Sequence, residues 1–291
     1  MQRLRAWQRI KYRIMRFFVA VFALAAALST ARAEDPEAIV RRSVSKDLVN
    51  WNLRKDYTYT AKSEERELDK NGKAKKTDAE TVEVSILYGE PYFRVIEKNG
   101  KPLSATDARK EEEKLARFTE KRKGDTEQQR AQRLADYQKK RAKQREFLKE
   151  VPAAYNLALI GEEQLGGRDT YVIDAQPRPG YRPKSDMSKY FPKIRAKIWI
   201  DKTDYQWVKV EAETIDTISF GLVLFRLYKG ARIEFDQIQI NGEIWLPKHI
   251  HIEAAGRMGL VLKGGYEQDT VFDNYRKFQS DSHIVSAEEA K

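Results

Sequence analysis

The side chains that could carry out chemistry are few in this chain of 291 residues. His249 and His251 alternate on one face of a predicted strand, with Glu253 two residues further along, and two imidazoles with a carboxylate can bind zinc. Glu211 and Glu213 share a face of another predicted strand at about 6.6 Å, which overlaps the carboxyl spacing of inverting glycoside hydrolases. A solvated polar strand face produces both patterns without any chemistry. We therefore predict no catalytic and no metal-binding residues, with His249 and His251 as weak metal candidates.

The motifs of common enzyme classes are absent from the sequence. It contains no cysteine, which excludes disulfides, thiolate metal sites and cysteine nucleophiles. No Gly-x-Ser-x-Gly elbow, phosphate-binding loop or dinucleotide fingerprint occurs. We therefore predict that the protein is not an enzyme and uses no cofactor, with a hydrolase whose polar site is unrecognised as an alternative.

Alternation along the predicted strands separates an aliphatic face from a polar one. In the segment 194–201, Ile and Ala occupy the even positions, whereas Arg, Lys, Trp and Asp occupy the odd ones. Shielding an acyl chain from water contributes about 0.8 kcal/mol per buried CH₂, so a concave aliphatic face suits a lipid carrier. The candidates for such a ligand-binding face are Ile198, Ile200, Val208, Val210, Phe220, Leu222, Leu224 and Leu246. The alternative is that these residues form a filled core.

Two tryptophans fall on the opposite face in the same pattern. Trp199 and Trp207 are expected to face each other across the turn formed by residues 201–204. There they could stack a sugar or lie at a lipid interface. Such pairs more often cover Lys and Arg stems and stabilise a hairpin, which is the interpretation we favour.

The elements that position these residues are mainly β-strands. Residues 36–53 are predicted to form an amphipathic helix, because apolar residues recur there with helical spacing. Short turns such as Asn99-Gly100 favour antiparallel hairpins over parallel crossovers. The predicted strand 218–228 is apolar on both faces, so another element should cover it. The predicted fold class is α+β: a single large antiparallel β-sheet of about ten or eleven strands, covered by the N-terminal helix, with a long inserted helical hairpin. The resemblance given below implies that this sheet is curved into a half-barrel wrapped on the helix.

The inserted hairpin is the segment 104–149, which carries 15 Lys/Arg and 9 Asp/Glu. Ser104 and Thr126, followed three residues later by Asp107 and Gln129, predict the starts of its two helices. Apolar residues are sparse, so most of both helices should be solvated. The open alternatives for this arm are contact with an anionic membrane, a nucleic acid or a partner protein, a lid over a cavity, or a solvated insertion without function.

The first 33 residues have the pattern of a secretory signal peptide. A basic start precedes an apolar run of twelve residues and the small-x-small ending Ala31-Arg32-Ala33, which predicts cleavage before Glu34. The apolar run is too short for a spanning helix, which needs about 20 residues. This segment has seven Lys/Arg and no acid, so it carries +7 of the formal charge of +11. The net +6 of the arm leaves the rest of the chain slightly acidic, and we predict no nucleic-acid partner.

Four short phrases resemble the periplasmic outer-membrane lipoprotein carrier (LolA-like) superfamily. They are GEEQLGGRDTYVIDAQP at 161–177, AKIWID at 196–201, WVKVE at 207–211 and NGEIWLP at 241–247. The resemblance spans about residues 34–278 and implies an incomplete, strongly curved antiparallel barrel that wraps around helices and encloses an apolar cavity. Two departures matter: the charged arm is not part of the basic carrier pattern, and a chain without cysteine cannot be a lipid-anchored receptor.

These observations predict an exported, periplasmic binding or carrier protein whose partner is a lipid or lipidated protein held in the concave apolar face. A peripheral contact of the arm with an anionic membrane is a further expectation. An interaction, scaffold or sensor protein that uses the arm is the alternative from a different class. The predicted organisation is a signal peptide at 1–33, the N-terminal helix and first strands at 34–103, the arm at 104–149, the remaining strands at 150–279 and a polar tail at 280–291.

Overall fold

The computed structural model describes residues 34–69, 71–220, 225–258 and 262–278. The predicted signal peptide and the polar tail at 280–291 therefore lie outside the described residues. The N-terminal helix is present as expected: α1 (Pro36–Leu53) begins at a proline and buries its apolar face. Among the described residues, no helix combines the length and the apolar character needed to cross a membrane.

Thirteen strands in the described part of the chain form one open antiparallel sheet. Their bounds are β1 (Tyr57–Leu68), β2 (Ala74–Leu87), β3 (Glu90–Lys98), β4 (Lys101–Pro102), β5 (Tyr155–Leu165), β6 (Arg168–Pro177), β7 (Ile194–Asp201), β8 (Trp207–Thr214), β9 (Ile218–Phe220), β10 (Phe225–Leu227), β11 (Arg232–Ile240), β12 (Ile244–Met258) and β13 (Leu262–Lys277). The order is β4-β3-β2-β1-β13-β12-β11-β8-β7-β6-β5, and β10 pairs with both β12 and β9. β1 thus pairs with β13, which joins the first and last strands of the described chain.

The sheet curves around α1, which contacts β5 at one end of the sheet and β12 near its middle. This confirms the predicted fold class of a curved half-barrel on an N-terminal helix. Asn50 anchors the helix to β12, because its side chain donates to the Trp245 carbonyl at 2.7 Å and accepts from the Trp245 amide at 2.9 Å. We call the sheet face toward α1 the inner face and the opposite one the outer face.

The main core lies between α1 and the inner face of β5 to β8. Ile39 and Val40 of α1 pack in one cluster with Ile173 of β6 and Ile200 of β7, and all four are fully buried. Burying an aliphatic side chain of this size contributes about 1.5–3 kcal/mol. This half of the half-barrel is therefore filled by protein side chains.

The arm consists of α2 (Ala105–Lys123) and α3 (Glu127–Glu146), followed by the short helix α4 (Val151–Ala154). Both predicted caps are present. The Ser104 side chain accepts from the Asp107 amide, and Thr126 and Gln129 form a reciprocal capping box. No residue of α2 or α3 is fully buried.

One strand prediction differs from the structure. The segment 218–228 is predicted to be one strand, but β9 and β10 pair with each other antiparallel, with Phe225 opposite Phe220. The difference arises from pairing between strands, which periodicity within one strand does not encode.

Candidate functional site

A cavity of 310 Å³ lies on the inner face, beyond the end of the packed core. The end of α1, helix α3 and the strands β1, β2, β3, β12 and β13 surround it. Its lining residues are Trp51, Arg54, Lys55, Tyr57, Tyr59, Val84, Ile86, Pro91, Phe93, Tyr137, Arg141, Gln144, Leu246, Pro247 and Tyr275. The walls are mostly aromatic and aliphatic, and the charged groups come from the residues that follow α1 and from the arm.

Aromatic side chains of β1 and β13 form the floor of the cavity. The Tyr59 ring lies 5.4 Å from the Tyr275 ring and 5.9 Å from the Phe272 ring, centroid to centroid. The Tyr275 hydroxyl donates to the Pro247 carbonyl at 2.6 Å. Burial raises the pKa of both Tyr59 and Tyr275, so both hydroxyls stay neutral at ordinary pH. The floor is therefore aromatic and uncharged.

Helix α3 closes one side of the cavity through contacts with α1. The Trp51 indole donates to the Arg141 carbonyl at 3.1 Å, and the Arg141 guanidinium donates to the Trp51 carbonyl at 2.6 Å. The guanidiniums of Arg141 and Arg145 lie 4.4 and 4.5 Å from the Trp51 ring centroid. Cation–π contacts of this kind contribute about 0.5–1 kcal/mol each at exposed sites and more when desolvated. The arm is thus a wall of the cavity.

Positive charge dominates this end of the cavity. The Arg54 side chain is only 8% exposed, and burial lowers its pKa to about 10 although Asp47 works in the opposite direction. Asp47 is itself 1% exposed and lies 3.9 Å from both Arg54 and Arg145. Neither carboxylate oxygen of Asp47 has a hydrogen-bond partner among the described residues. The guanidiniums of Arg54 and Arg145 therefore share one buried carboxylate, and Arg141 adds a further positive charge beside the apolar walls.

A second contact fixes the arm to the turn between β2 and β3. The Glu90 carboxylate pairs with Arg133 at 2.7 Å and with Arg122 at 3.0 Å, and thereby holds both arm helices. Arg133 also pairs with Asp125 at 3.0 Å, inside the arm. The Phe118 ring packs 5.0 Å from the ring of Tyr92.

Gly89 lies under helix α3 in the same turn. Its φ of +80° is a conformation that favours glycine, and a Cβ there would lie 2.8 Å from Leu134 Cδ2. The prediction that most of the arm is solvated therefore applies to its outer side. The inner side of the arm is docked on the sheet and on α1 along most of its length.

The predicted apolar candidates fall into separate places. Ile198 and Ile200 lie in the packed core under α1, and Val210 packs against it. Leu246 lines the cavity. The side chain of Phe220 and the whole of Leu222 and Leu224 lie outside the described residues.

Val208 lies on the outer face, in a cluster with Val172, Trp199 and Trp245. A β-bulge causes this, because Trp199 pairs with Lys209 but Ile200 pairs with Trp207, so Val208 is the extra residue of β8. The expectation that Trp199 and Trp207 face each other is wrong for the same reason. Trp207 belongs to the inner core and Trp199 to the outer cluster.

An incompletely covered aliphatic strip continues from the cavity along the inner face. Phe235 of β11 lies opposite Ile250 of β12, and Ile233 lies opposite Ile252. Ile233 is 43% exposed, and the other three are half-buried. Ile250 pairs with Thr270, two residues from Phe272, whose ring packs at an angle against the ring of the cavity residue Tyr59. The strip therefore begins beside the cavity floor.

The two weak chemical patterns lie on the outer face. Glu211 pairs with Lys209 at 2.7 Å and Glu213 with Arg195 at 2.8 Å, so each carboxylate has its own cation. His249 and His251 lie beside Asp269 of β13. Sequence reasoning missed most cavity residues, because they come from elements far apart in the chain. The arginines of α3 could have been found, since the arm is the basic segment of the sequence outside the predicted signal peptide.

Comparison with known proteins finds structural likeness alone. No family model and no curated protein matches the sequence. A DUF1329 family protein from Desulfovibrio piger is 13% identical with a TM-score of 0.34, and the match covers 85% of this chain and 95% of that one. A domain described as an outer-membrane lipoprotein-sorting protein from Vibrio parahaemolyticus is 12% identical with a TM-score of 0.35, over 84% and 94%. A LolA superfamily protein from Nitrosomonas europaea is 10% identical with a TM-score of 0.32, over 85% and 94%.

The LolA superfamily is also the one that the four sequence phrases resemble. All three TM-scores lie below 0.5. At such scores the likeness carries no argument about function. The fold and the site are defined by the strand register and the side-chain contacts of this chain itself.

Proposed function

We propose that the protein is an exported, periplasmic binding or carrier protein for a lipid or lipoprotein acyl chain. The observation that carries the proposal is the cavity, whose apolar walls meet the guanidiniums of Arg54 and Arg141. An acyl chain would lie on Tyr59 and Ile86 and continue along the strip, where each buried CH₂ contributes about 0.8 kcal/mol. An anionic headgroup would meet Arg54 and Arg141, since charge-assisted hydrogen bonds are the stronger ones.

The size of the cavity restricts the ligand. Its 310 Å³ lies at the lower end of the range of about 300–1,000 Å³ for small-molecule pockets. This volume suits a single chain. A lipoprotein anchor with several chains would have to displace α3 from Trp51 or use the open strip.

Fluorescence titration with cis-parinaric acid, a fluorescent fatty acid, tests the proposal. Ile86→Trp should fill the cavity and weaken binding at least tenfold. The matched control is Val271→Trp, which places the same ring on the outer face at a position that is 50% exposed. The methyl ester should bind more weakly than the acid, because it lacks the charge that the guanidiniums attract. Equal binding by Ile86→Trp and Val271→Trp would exclude the cavity as the site.

We also propose that the outer side of the arm contacts anionic membranes. Its exposed cations are Arg109, Lys110, Lys114, Arg117, Lys121, Lys123, Arg130, Lys139, Lys140, Lys143 and Lys149. A basic residue near an anionic membrane surface contributes about 1 kcal/mol, and the effect falls with salt.

The test is sedimentation with vesicles that contain phosphatidylglycerol. The double variant Lys139→Glu/Lys143→Glu should associate at least tenfold more weakly at low salt. Lys62→Glu/Lys229→Glu makes the same charge change at exposed positions outside the arm. If both variants associated equally weakly with the vesicles, the net charge of the protein and not the arm would explain the association. If the arm variant sedimented like the unmodified protein, the arm would have no membrane role.

A further inference from the structure

The outer face of the sheet, opposite the cavity, carries a cluster of imidazole and carboxylate groups. His249 and His251 lie on β12, with Asp269 and Glu267 on the neighbouring strand β13. The register places His251 directly opposite Asp269. Thr270 pairs with Ile250 of the inner strip, so Asp269 and Glu267, which alternate with it and with Gln268, project from the outer face.

The distances in this cluster are those of a metal site that needs little rearrangement. His251 Nδ1 lies 3.2 Å from Asp269 Oδ1, and one ligand atom each of His251, Glu267 and Asp269 lies within 4.8 Å of the others. Two ligand atoms of a tetrahedral zinc ion, with bonds of about 2.0–2.1 Å, are about 3.3 Å apart. The His251–Asp269 pair already has this spacing, and a rotamer change of Glu267 would complete a set of three.

A hydrogen bond with His249 orients the carboxylate of Asp269, and Asp236 lies on the other side of the His249 ring. His249 Nε2 lies 2.9 Å from Asp269 Oδ1, and His249 Nδ1 lies 3.5 Å from Asp236 Oδ2 on β11. In many metal sites a residue of the outer shell holds a metal ligand in its orientation through a hydrogen bond. Here His249, flanked by Asp236, would hold Asp269 in this way, so that an imidazole orients a carboxylate. The side chains of His249 and His251 are 32% and 25% exposed, so the cluster is accessible from solvent.

One cation competes for the cluster. Arg66 of β1 donates to Glu267 at 3.2 Å, and it also donates to Glu64 at 2.6 and 2.8 Å. Glu64 would keep Arg66 paired after Glu267 turned toward a metal ion. This competition can be tested, because removal of the Arg66 guanidinium should free Glu267 to bind a metal ion.

We propose that His251, Asp269 and Glu267 bind a zinc ion on the outer face, with His249 as the residue that positions Asp269. An imidazole with two carboxylates suits zinc, and three protein ligands leave one coordination position for water. The site joins β12 to β13 and lies on the opposite face of the sheet from the cavity.

Calorimetric titration of the untagged, chelator-treated protein with zinc chloride tests the proposal. We expect one saturable zinc per chain, and a melting temperature that rises with zinc. His251→Ala should weaken binding by more than about 100-fold, and His249→Ala by about 10–100-fold, as for the loss of an outer-shell partner. Arg66→Gln should bind zinc more tightly than the unmodified protein.

The matched control is His283→Ala, which removes the third histidine of the sequence and should leave the affinity unchanged. Circular dichroism in chelator shows whether each variant folds, and Glu267→Gln replaces His251→Ala if the latter does not. Absence of saturable binding would overturn the proposal. Binding that His283→Ala removes and His251→Ala preserves would overturn it as well.

Discussion

The contact of Glu90 with both arm helices predicts that one neutral substitution releases the arm. Glu90 lies at the start of β3, next to the turn that α3 covers, and its carboxylate is paired with Arg122 and Arg133. Glu90→Gln keeps the shape of the side chain and one neutral acceptor, but it removes the charge. We expect both arm helices to dissociate more often from the sheet while the sheet itself stays folded.

The magnitude follows from the burial of the three side chains. Their exposed fractions are 16% for Glu90, 18% for Arg122 and 14% for Arg133, so solvent screens these pairs much less than surface pairs. Hydrogen bonds to charged groups contribute about 1.5–3 kcal/mol, and removal of one partner of a buried pair leaves an uncompensated charge. Arg133 keeps Asp125, which offsets part of the loss. We therefore expect the docking free energy to fall by about 2 kcal/mol, or about 30-fold in the population of the undocked arm.

Hydrogen exchange measured by mass spectrometry reports this population. Amides of 105–146 should exchange about 30-fold faster, because helices of this length are marginal on their own, whereas amides of 194–214 should be unchanged. The matched control is Glu113→Gln on the outer side of the arm. Its partners Arg109 and Arg117 lie 3.8 Å away and are 74% exposed, so a loss of at most about 0.5 kcal/mol is expected.

Two results would refute this reasoning. If Glu90→Gln and Glu113→Gln had the same effect on the arm, the ion pairs of Glu90 would contribute no more than surface pairs. If amides of 194–214 accelerated as much as those of 105–146, the arm would unfold only together with the sheet.

Three other properties can be predicted. Ile200→Ala should lower the free energy of unfolding in urea by about 2–5 kcal/mol, because Ile200 is 0% exposed in the core; a loss below 1 kcal/mol would contradict tight packing there. Burial, followed by the hydrogen bond with Glu243, raises the pKa of Tyr57 from 10.0 to about 12, so the stability difference from Tyr57→Phe should be constant below pH 10 and disappear as pH rises through 12. The protein purified from its native compartment should begin at Glu34 on N-terminal sequencing, and an intact Met1 in the membrane fraction would exclude cleavage.

The sequence predicted the elements whose signals are local. Helix α1 follows from apolar residues at helical spacing, and the two arm helices begin at the predicted Ser104 and Thr126 caps. These signals act within a few residues, through side-chain hydrogen bonds to the first turn and burial of one helix face. Strand alternation and short turns likewise predicted one antiparallel sheet, and the family resemblance implied its curvature. The identities of the buried residues Ile198, Ile200 and Leu246 also follow from this alternation.

Tertiary structure alone decided where these elements meet. The bulge that places Val208 on the outer face exists only in the pairing of β7 with β8, because an extra residue in one strand shifts every side chain after it to the other face. The segments that form the cavity are brought together by the closure of β1 on β13 and by the docking of the arm. Similarly, His251 and Asp269 are 18 residues apart and become neighbours through the register of β12 with β13. The sequence therefore determined the elements through local energies, whereas the cavity and the proposed zinc site depend on long-range register, which no local pattern encodes.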